Sequence, residues 1–380
     1  MYKQECPQPK IWLSPPHLGG RELEYVQEAF DSNWIAPVGK NIDEFENTLG
    51  EYLSTSDNLY AVALNSGTAA LHLALIMLGI KKGDEVICQS MTFAASANPI
   101  LYLGGTPIFV DSERRTWNIC PELLEHAILD RIKKGKKPKA IIAVHLYGMP
   151  YQHEEIKALS RKYQIPIIED AAEALGSEYK KRKCGSLGDF SVLSFNGNKI
   201  ITTSGGGALI VKNMELKEKA IFLATQARDN SPHYQHSYIG YNYRLSNVLA
   251  GIGRGQMQVL NNRVAARRFN YDCYVQKFAK LSNISFLPEM TETYTNRWLS
   301  CILTSRVEER EKIRLHLQKQ NIESRLLWKP LHTQPIFKTF PSYLNGVSEE
   351  LFEKGLCLPS GSNLKNEEIN RIVKICLELF

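Results

Sequence analysis

A single lysine, Lys199, stands in the stretch SFNGNKIITTSGGG at residues 194–207, directly after two asparagines and before small or hydroxyl-bearing residues. Lysine side chains normally lie on solvated faces of a protein. Here the preceding run SVLSF at 191–195 is typical of a short buried strand. The following run TTSGGG at 202–207 has almost no side-chain bulk. The pattern predicts a lysine amine beside a space in which a flat group can lie.

Two other motifs could act together with that lysine. In ALNSGTAALHLAL at 63–75, a strand end turns through 66–68 into a helix, whose first amides and dipole favour an anion. In IIEDAAEALG at 167–176, Asp170 ends an apolar run. Taken alone, these motifs also fit an N-cap, a solvated turn and a surface lysine. Their order along the chain is an anion cradle, then an acid, then the lysine.

This order is the one expected for pyridoxal phosphate in an aspartate-aminotransferase-like fold. A lysine amine can form a Schiff base with the cofactor aldehyde, and a carboxylate facing the pyridine nitrogen keeps that nitrogen protonated. Phe93, in MTFAASANP, follows the strand-like run EVICQ and could cover the ring. Core packing explains Phe93 equally well.

The elements that must position these residues alternate along the first half of the chain. Helical patterns at 66–79 and 151–164 lie between β-rich runs, which indicates a mainly parallel sheet covered on both faces. The predicted strands are 85–89, 107–111, 140–146, 166–170, 191–195 and 208–211. Such sheets bind ligands at the carboxyl ends of their strands, where Asp170 and Lys199 fall.

The alternation of predicted strands and helices does not continue into the second half of the chain. A long helical pattern from about Ser246 to Leu281, without an internal proline, is followed by strand-like runs at 298–305 and 357–360 and by helical patterns at 306–319 and 365–379. A chain of 380 residues exceeds the size of a single hydrophobic core. We therefore expect residues 1–250 to form a large cofactor-binding domain, and residues 251–380 to form a linking helix and a small α+β domain.

The composition of the chain and the absence of certain sequence patterns restrict the classes of function that the protein can have. A net charge of +6 is a mild excess that suits an anionic substrate and is far from a nucleic-acid-binding signature. The eight cysteines contain no C-x-x-C pair, so neither a metal site nor a disulfide framework is expected. Residues 1–10 lack an export signal, and the longest apolar run, 69–80, is too short to span a bilayer. The sequence predicts a cytoplasmic protein.

Several long motifs in one order carry a resemblance that covers nearly the whole chain. They are NSGTAAL at 65–71, MTFAASANP at 91–99, EDAAEALGS at 169–177, GDFSVLSFNGNKIITTSGGG at 188–207, IGYNYRLSN at 239–247 and KPLHTQP at 329–335. On these motifs the sequence resembles the DegT/DnrJ-type nucleotide-sugar aminotransferases, which are fold type I enzymes dependent on pyridoxal phosphate. The resemblance implies an α/β fold of that type.

The resemblance also implies roles for individual residues. Lys199 would bind the cofactor covalently, and Asp170 would face the pyridine nitrogen. Glu173 would lie near the ring hydroxyl, where many relatives have glutamine or histidine. The remaining cofactor contacts would come from Phe93 on the ring and from Gly67, Thr68, Ala69 and Ser194 at the phosphate.

Three further residues are implied at the edges of the site. Asn242, in GYNYR, would reach the phosphate from the other subunit of a homodimer. Trp34 and His332 match stretches that border the sugar-nucleotide pocket in relatives, although either also fits a buried structural position.

The activity implied is transfer of an amino group from an amino acid, expected to be glutamate, to a keto sugar linked to a nucleotide, for cell-surface polysaccharide or glycan biosynthesis. The motif phrases look most like members that act at sugar C4, particularly on UDP-2-acetamido-4-keto-2,6-dideoxyhexose. A GDP-perosamine synthase or a 3-keto-sugar aminotransferase is the alternative. A sugar dehydratase of the same family has histidine in place of Lys199, and a non-catalytic cofactor-binding protein would not need the complete catalytic set.

Overall fold

The computed structural model describes residues 9–55 and 58–380 of the chain. The predicted lack of an export signal concerns residues 1–10, of which 1–8 lie outside the described residues. Within the described ranges the helices are α1 Glu22–Asp31, α2 Lys40–Leu53, α3 Gly67–Met77, α4 Asn98–Tyr102, α5 Pro121–Lys133, α6 His153–Tyr163, α7 Met214–Ala224, α8 Asn247–Met257, α9 Leu260–Phe278, α10 Val307–Lys319, α11 Val347–Lys354 and α12 Asn366–Leu377.

The main sheet has eight strands in the part of the chain that the structure describes. In spatial order they are β1 Tyr60–Leu64, β9 Gly207–Val211, β8 Phe190–Ser194, β5 Ile167–Asp170, β4 Ala140–Val144, β2 Glu85–Gln89, β3 Thr106–Val110 and β14 Ser342–Tyr343. The pairs from β8 to β14 are parallel, whereas β9 runs antiparallel to both of its neighbours. The predicted strands and the mainly parallel α/β architecture are confirmed.

Strands β4 and β9 are apolar along their whole length because the sheet is covered on both faces. AIIAV of β4 and GALIV of β9 are completely buried. One face packs on a cluster that includes α3 and α7, and the other packs on clusters that include α2, α5 and α6. Because β8, β5, β4, β2 and β3 are parallel, their carboxyl ends meet along one edge of the sheet.

The helical pattern predicted from Ser246 to Leu281 forms two helices instead of one. Val259, between α8 and α9, leaves the helical conformation with φ −112° and ψ 3°. The two helices pack against different parts of the molecule, which accounts for the change of direction. α8 lies against α1 and α2, where an added Cβ at Gly253 would approach the Phe45 ring to 2.7 Å, and α9 packs against α12.

A second, antiparallel sheet forms in the last third of the chain. Its strands in order are β10 Ile284–Phe286, β12 Ser300–Thr304, β15 Gly355–Leu358 and β13 Arg325–Leu326. A small sheet joins β11 Thr293–Tyr294 with β6 Glu178–Tyr179 and β7 Arg182–Lys183. Because β14 belongs to the main sheet, part of the C-terminal region completes the fold of the first half. The boundary placed at residue 250 stays a prediction.

None of the helices in the described ranges combines the length and apolar character needed to cross a lipid bilayer.

Candidate active site

A cavity of about 500 Å³ opens at the carboxyl ends of β4, β5 and β8. It brings together residues from distant parts of the sequence, between Asn65 and Trp328. Most of the predicted site residues line it: Gly67, Thr68, Phe93, Asp170, Glu173, Ser194 and Lys199. Gly205 and Gly206, from the predicted low-bulk run, line the same cavity.

One wall of the cavity is the start of α3. Ser66 is the N-cap, and its hydroxyl accepts a hydrogen bond from the Ala69 amide at 3.1 Å. The geometry of a helix leaves the amides of Gly67 and Thr68 without an intrahelical partner, so they are free to bind an anion. The Ala69 amide can take its predicted phosphate contact only by sharing or breaking its bond with Ser66.

The glycines around this wall allow three chain segments to approach one another closely. An added Cβ at Gly207 would lie 2.4 Å from the Gly67 amide nitrogen, and one at Gly67 would lie 3.2 Å from the Ser194 Cβ. The helix start, the end of β8 and the start of β9 are therefore held in contact by backbone. The Ser194 hydroxyl consequently sits next to the two free amides.

Asp170, at the end of β5, is a buried carboxylate at the floor of the cavity. Its Oδ2 accepts a hydrogen bond from the Ser96 hydroxyl at 2.7 Å, and its Oδ1 accepts one from the Ala172 amide at 3.2 Å. It forms no ion pair with any other residue in the described ranges. A buried carboxylate without a cation is costly, so the site is suited to a ligand that carries positive charge there.

Lys199 enters the cavity from the loop after β8. Its Nζ lies 3.6 Å from Oε1 of Glu173 and 4.1 Å from the centre of the Trp298 ring. Burial raises the pKa of Glu173, while the nearby Lys199 charge opposes that rise. The amine is therefore held between a carboxylate and an aromatic face, with its side chain only 13% exposed.

Glu173 is oriented by Tyr147, which sequence reasoning did not identify. The Tyr147 amide donates to Oε2 of Glu173 at 2.7 Å, and its hydroxyl accepts from the Trp328 amide at 2.7 Å. Tyr147 has φ 52° and ψ 23°, a left-handed conformation that is uncommon for an aromatic residue. Its ring stacks between those of Trp298 and Trp328. A strained residue thus links the carboxylate to two walls of the cavity.

Phe93 and Trp328 form the outer wall. Their ring centres are 5.3 Å apart with an interplanar angle of 51°, and Phe93 is 55% exposed. Core packing, the other explanation of Phe93, does not apply to a side chain that is so exposed. The Trp328 indole nitrogen is buried, and its N–H acts on the Glu173 carboxylate, where it opposes the rise in the pKa of that group.

Behind Asp170, the neighbouring Glu169 is fully buried and satisfied by protein donors. Its carboxylate accepts from His145 Nε2 at 2.7 Å, the Gly185 amide at 2.6 Å, the Leu187 amide at 2.7 Å, the Gly188 amide at 2.9 Å and the Ser191 hydroxyl at 2.6 Å. Burial would raise the pKa of Glu169, but the His145 hydrogen bond and charge, the Gly185 amide and the Ser191 hydroxyl lower it to about 2. These contacts fix the end of β5.

Asn242 does not line the cavity of its own chain as far as the structure describes it. It is exposed, and its carbonyl accepts from the Asn65 side chain at 3.2 Å. The Asn65 amide also donates to the Tyr243 carbonyl at 2.7 Å. The segment 239–247 is thus tied to the residue that precedes the helix cap. Its predicted contact with the site of a second subunit stays a prediction.

Trp34 and His332 also lie outside the described lining of this cavity. Trp34 is 55% exposed, so a buried structural role does not apply to it. His332 is buried, with Nδ1 2.7 Å from the Ser90 hydroxyl and Nε2 2.9 Å from Oε1 of Glu349. Both ring nitrogens of His332 are therefore engaged within the protein, which favours a structural role for it.

The model of the DegT/DnrJ/EryC1/StrS aminotransferase family matches residues 16–376 of the chain. The chain belongs to this family. The match includes every residue that lines the cavity.

Curated relatives and solved structures of other family members agree with this assignment. The "Putative pyridoxal phosphate-dependent aminotransferase EpsN" of Bacillus subtilis strain 168 is 49% identical over 375 residues, with 98% of this chain and 96% of that protein covered. The GDP-perosamine synthase of Escherichia coli O157:H7 is 38% identical, with 96% and 97% covered. The structure "Putative sugar aminotransferase Spr1654 from Streptococcus pneumoniae, PLP-form" aligns with a TM-score of 0.90 at 29% identity, covering 98% and 100%.

This aminotransferase uses pyridoxal phosphate as its cofactor. The residues present fit that group. The buried Asp170 carboxylate lacks a cation among the described residues, and a protonated pyridine nitrogen would supply one. The free amides at the start of α3 and the Ser194 hydroxyl suit a phosphate. Lys199, in the same cavity, would supply the amine that the cofactor aldehyde requires.

The cavity contains residues that the sequence did not single out, namely Asn65, Thr92, Ser96, Asn196, Asn198, Trp298, Arg325 and Trp328. Five of them lie inside motifs that the sequence analysis quotes: Asn65 in NSGTAAL, Thr92 and Ser96 in MTFAASANP, and Asn196 and Asn198 in GDFSVLSFNGNKIITTSGGG. Trp328 directly precedes KPLHTQP. Trp298 and Arg325 come from the antiparallel sheet region, and nothing in their local sequence indicates a site.

Proposed function

We propose that this aminotransferase moves an amino group from L-glutamate to the C4 ketone of a nucleotide-linked 4-keto-6-deoxysugar, with UDP-2-acetamido-4-keto-2,6-dideoxyhexose as the preferred acceptor. The product would serve cell-surface polysaccharide or glycan biosynthesis in the cytoplasm. The observation that carries the proposal is the Lys199 amine, held 3.6 Å from Glu173 in the cavity that contains Asp170.

When bound, pyridoxal phosphate supplies an aldehyde that accepts the amino group and a ring that stabilises negative charge at the donor carbon. The protein supplies positioning and proton transfer. Asp170 holds the positive charge at the pyridine nitrogen, and Ser194 with the Gly67 and Thr68 amides holds the phosphate. Lys199 would act as base and then as acid: its Nζ would take the proton from the α-carbon of the amino-acid donor and deliver it to the cofactor carbon that bears the transferred nitrogen.

The two half-reactions use one site in succession, so the donor product must leave before the sugar enters. Ping-pong kinetics are therefore expected. The sugar half-reaction needs a larger opening than glutamate does, and the outer wall formed by Phe93 and Trp328 borders the cavity on its exposed side.

The proposal also names the nucleotide that is linked to the acceptor sugar. The motif phrases at 194–210 and 227–247 resemble UDP-sugar enzymes acting at C4, which favours UDP. The relative named GDP-perosamine synthase is 38% identical over nearly its whole length, which supports a GDP-linked sugar as the second candidate. Both candidates share the same chemistry at the ketone.

We further propose a homodimer in which Asn242 reaches the phosphate of the partner's site, with Trp34 and His332 at the border of the sugar pocket. The exposure of Asn242 and Trp34 is consistent with contacts to a second chain. His332 would act there indirectly, because its ring is held by Ser90 and Glu349.

The test is incubation of the purified protein with glutamate and a panel of UDP-, dTDP- and GDP-linked 4-keto-6-deoxysugars, with products detected by mass spectrometry. Lys199→Ala is the matched inactive control. Amination of the UDP acceptor in preference to the others supports the proposal. Preferential amination of the GDP acceptor would move the assignment to the second candidate. A protein that binds the cofactor and converts glutamate, yet aminates none of the sugars, would refute a 4-keto-sugar acceptor.

A further inference from the structure

The peptide carbonyl directly before Lys199 is held by two side chains from distant parts of the chain. The Asn198 carbonyl accepts a hydrogen bond from the Ser14 hydroxyl at 2.8 Å and another from the Trp298 indole N–H at 2.8 Å. The Lys199 amide donates to the Asn196 carbonyl at 3.0 Å. The turn that carries the lysine is therefore fixed on both sides of its peptide bond.

Both donors are in turn held by one buried arginine. Arg267 of α9 is 1% exposed and donates to the Ser14 hydroxyl at 2.9 Å and to the Trp298 carbonyl at 2.6 Å. It also donates to the Ser360 carbonyl at 3.2 Å, and it has no carboxylate partner in the described residues. Burial lowers its pKa to about 9. Burial of a charged guanidinium that donates only to neutral oxygens costs folding free energy. We infer that this cost is retained because Arg267 fixes the positions of Ser14 and Trp298.

Trp298 contacts Lys199 a second time, through its ring. The Lys199 Nζ lies 4.1 Å from the ring centre, and the ring is stacked against Tyr147, with centres 6.3 Å apart and 20° between the planes. An ammonium over an indole face is stabilised, and more so where water is excluded. Trp298 is 1% exposed, so its ring cannot turn away from the amine.

We propose that Ser14 and Trp298 are positioning residues for Lys199. Ser14 and the indole N–H fix the Asn198–Lys199 peptide, and the Trp298 ring holds the lysine amine whenever that amine is not bonded to the cofactor. The inference rests on the proposed function, because it takes Lys199 as the lysine that binds the cofactor and moves the proton.

The two parts of this arrangement have different consequences. Loss of a peptide contact loosens the backbone, which lowers the rate without changing the charge balance at the amine. Loss of the ring removes an attraction that acts on a protonated amine and not on a neutral one, so the pH dependence of the turnover should move to lower pH. The charged side chains that line the cavity with the amine are Glu173, Asp170 and Arg325, and these are the same in every variant below.

The experiment uses the holoenzyme and follows the change in cofactor absorbance after mixing with glutamate, as a single turnover, across a range of pH. The variants are Ser14→Ala, which keeps the ring, and Trp298→Leu and Trp298→Phe, which remove or reduce the aromatic face and remove the N–H. Trp12→Phe is the matched control, since Trp12 lies near Ser14, is 52% exposed and has Lys10 over its ring at 3.8 Å.

We expect Ser14→Ala to slow the single turnover by about fivefold, because it removes the hydrogen bond to the Asn198 carbonyl and the one that the Ser14 hydroxyl accepts from Arg267, with an unchanged pH midpoint. We expect Trp298→Leu to slow it further and to lower the pH midpoint by about one unit. Trp298→Phe should give a smaller shift in the same direction, and it carries this part of the test if the leucine variant does not fold.

Two results would overturn the inference. A Ser14→Ala rate equal to that of Trp12→Phe would show that the peptide contact does not position the lysine. An unshifted pH midpoint in the folded Trp298 variants would show that the ring does not hold the amine. Borohydride labelling of the same proteins separates these results from failure of the proposed function: in that case the label would be absent from the wild-type peptide that contains Lys199.

Discussion

Replacement of Glu169 by glutamine should destabilise the fold strongly, although Glu169 does not line the cavity. The carboxylate accepts five hydrogen bonds, and its pKa is lowered to about 2 from an ordinary value of 4.5. A difference of this size corresponds to about 3 kcal/mol of folding free energy at neutral pH. The substitution removes that contribution and also turns an amide N–H toward one of the donors.

The pH dependence follows from the direction of the shift. The folded-state pKa lies below the unfolded-state value, so the stabilising contribution is complete above about pH 4.5 and is lost as pH falls toward 2. The stability difference between wild type and Glu169→Gln should therefore be about 3 kcal/mol at pH 7 and roughly half of that at pH 3.

Urea unfolding at a saturating concentration of pyridoxal phosphate, followed by tryptophan fluorescence and circular dichroism at several pH values, measures this difference. Glu44→Gln, at an exposed position on α2, is the matched control and should unfold as the wild type does. The reasoning is refuted if Glu169→Gln and Glu44→Gln unfold alike at pH 7, or if the Glu169→Gln difference stays constant down to pH 3.

Three further predictions concern the reaction. Lys199→Ala should abolish transamination, and borohydride reduction of the wild-type holoenzyme should fix the cofactor on the peptide containing Lys199; a label on another lysine contradicts this. Asp170→Asn should keep the unfolding midpoint but lower turnover severely, because an amide cannot balance the pyridinium charge; near-wild-type turnover argues against that role. Mixing Lys199→Ala chains with chains disabled at Asn242 should restore about a quarter of wild-type activity under random exchange, because half the dimers are hybrids with one good site. Proven exchange without recovered activity rules out the shared site.

The sequence predicts those structural features of this enzyme that are determined by residues adjacent along the chain. The apolar runs of the central strands are readable because a sheet covered on both faces demands them. Asp170 can be predicted because it ends such a strand, and Lys199 because it lies in the loop that follows one. The turn into α3 is readable from Ser66, Gly67 and Thr68, whose types suit a helix start.

Other features depend on contacts between distant segments, and no local pattern reports them. Trp298 meets the Asn198 carbonyl from 100 positions away, and Ser14 meets it from 184 positions away. The left-handed conformation of Tyr147 is imposed by its contacts with Glu173 and Trp328 rather than by its own preference. The break between α8 and α9 arises because the two helices pack on different neighbours.

The late strand β14 has a consequence for how the chain is made. It covers the outer edge of β3 through the Phe109 amide, which donates to the Pro341 carbonyl at 2.9 Å, and the Asp111 amide, which donates to the Tyr343 carbonyl at 3.0 Å. A ribosome must add roughly 230 residues after β3 before that cover exists, which takes on the order of 10 to 50 seconds. During this interval the nascent sheet presents an unpaired edge to other chains. Pro107 lies within β3 and removes one donor from that strand, so the sequence carries its own partial protection while synthesis continues.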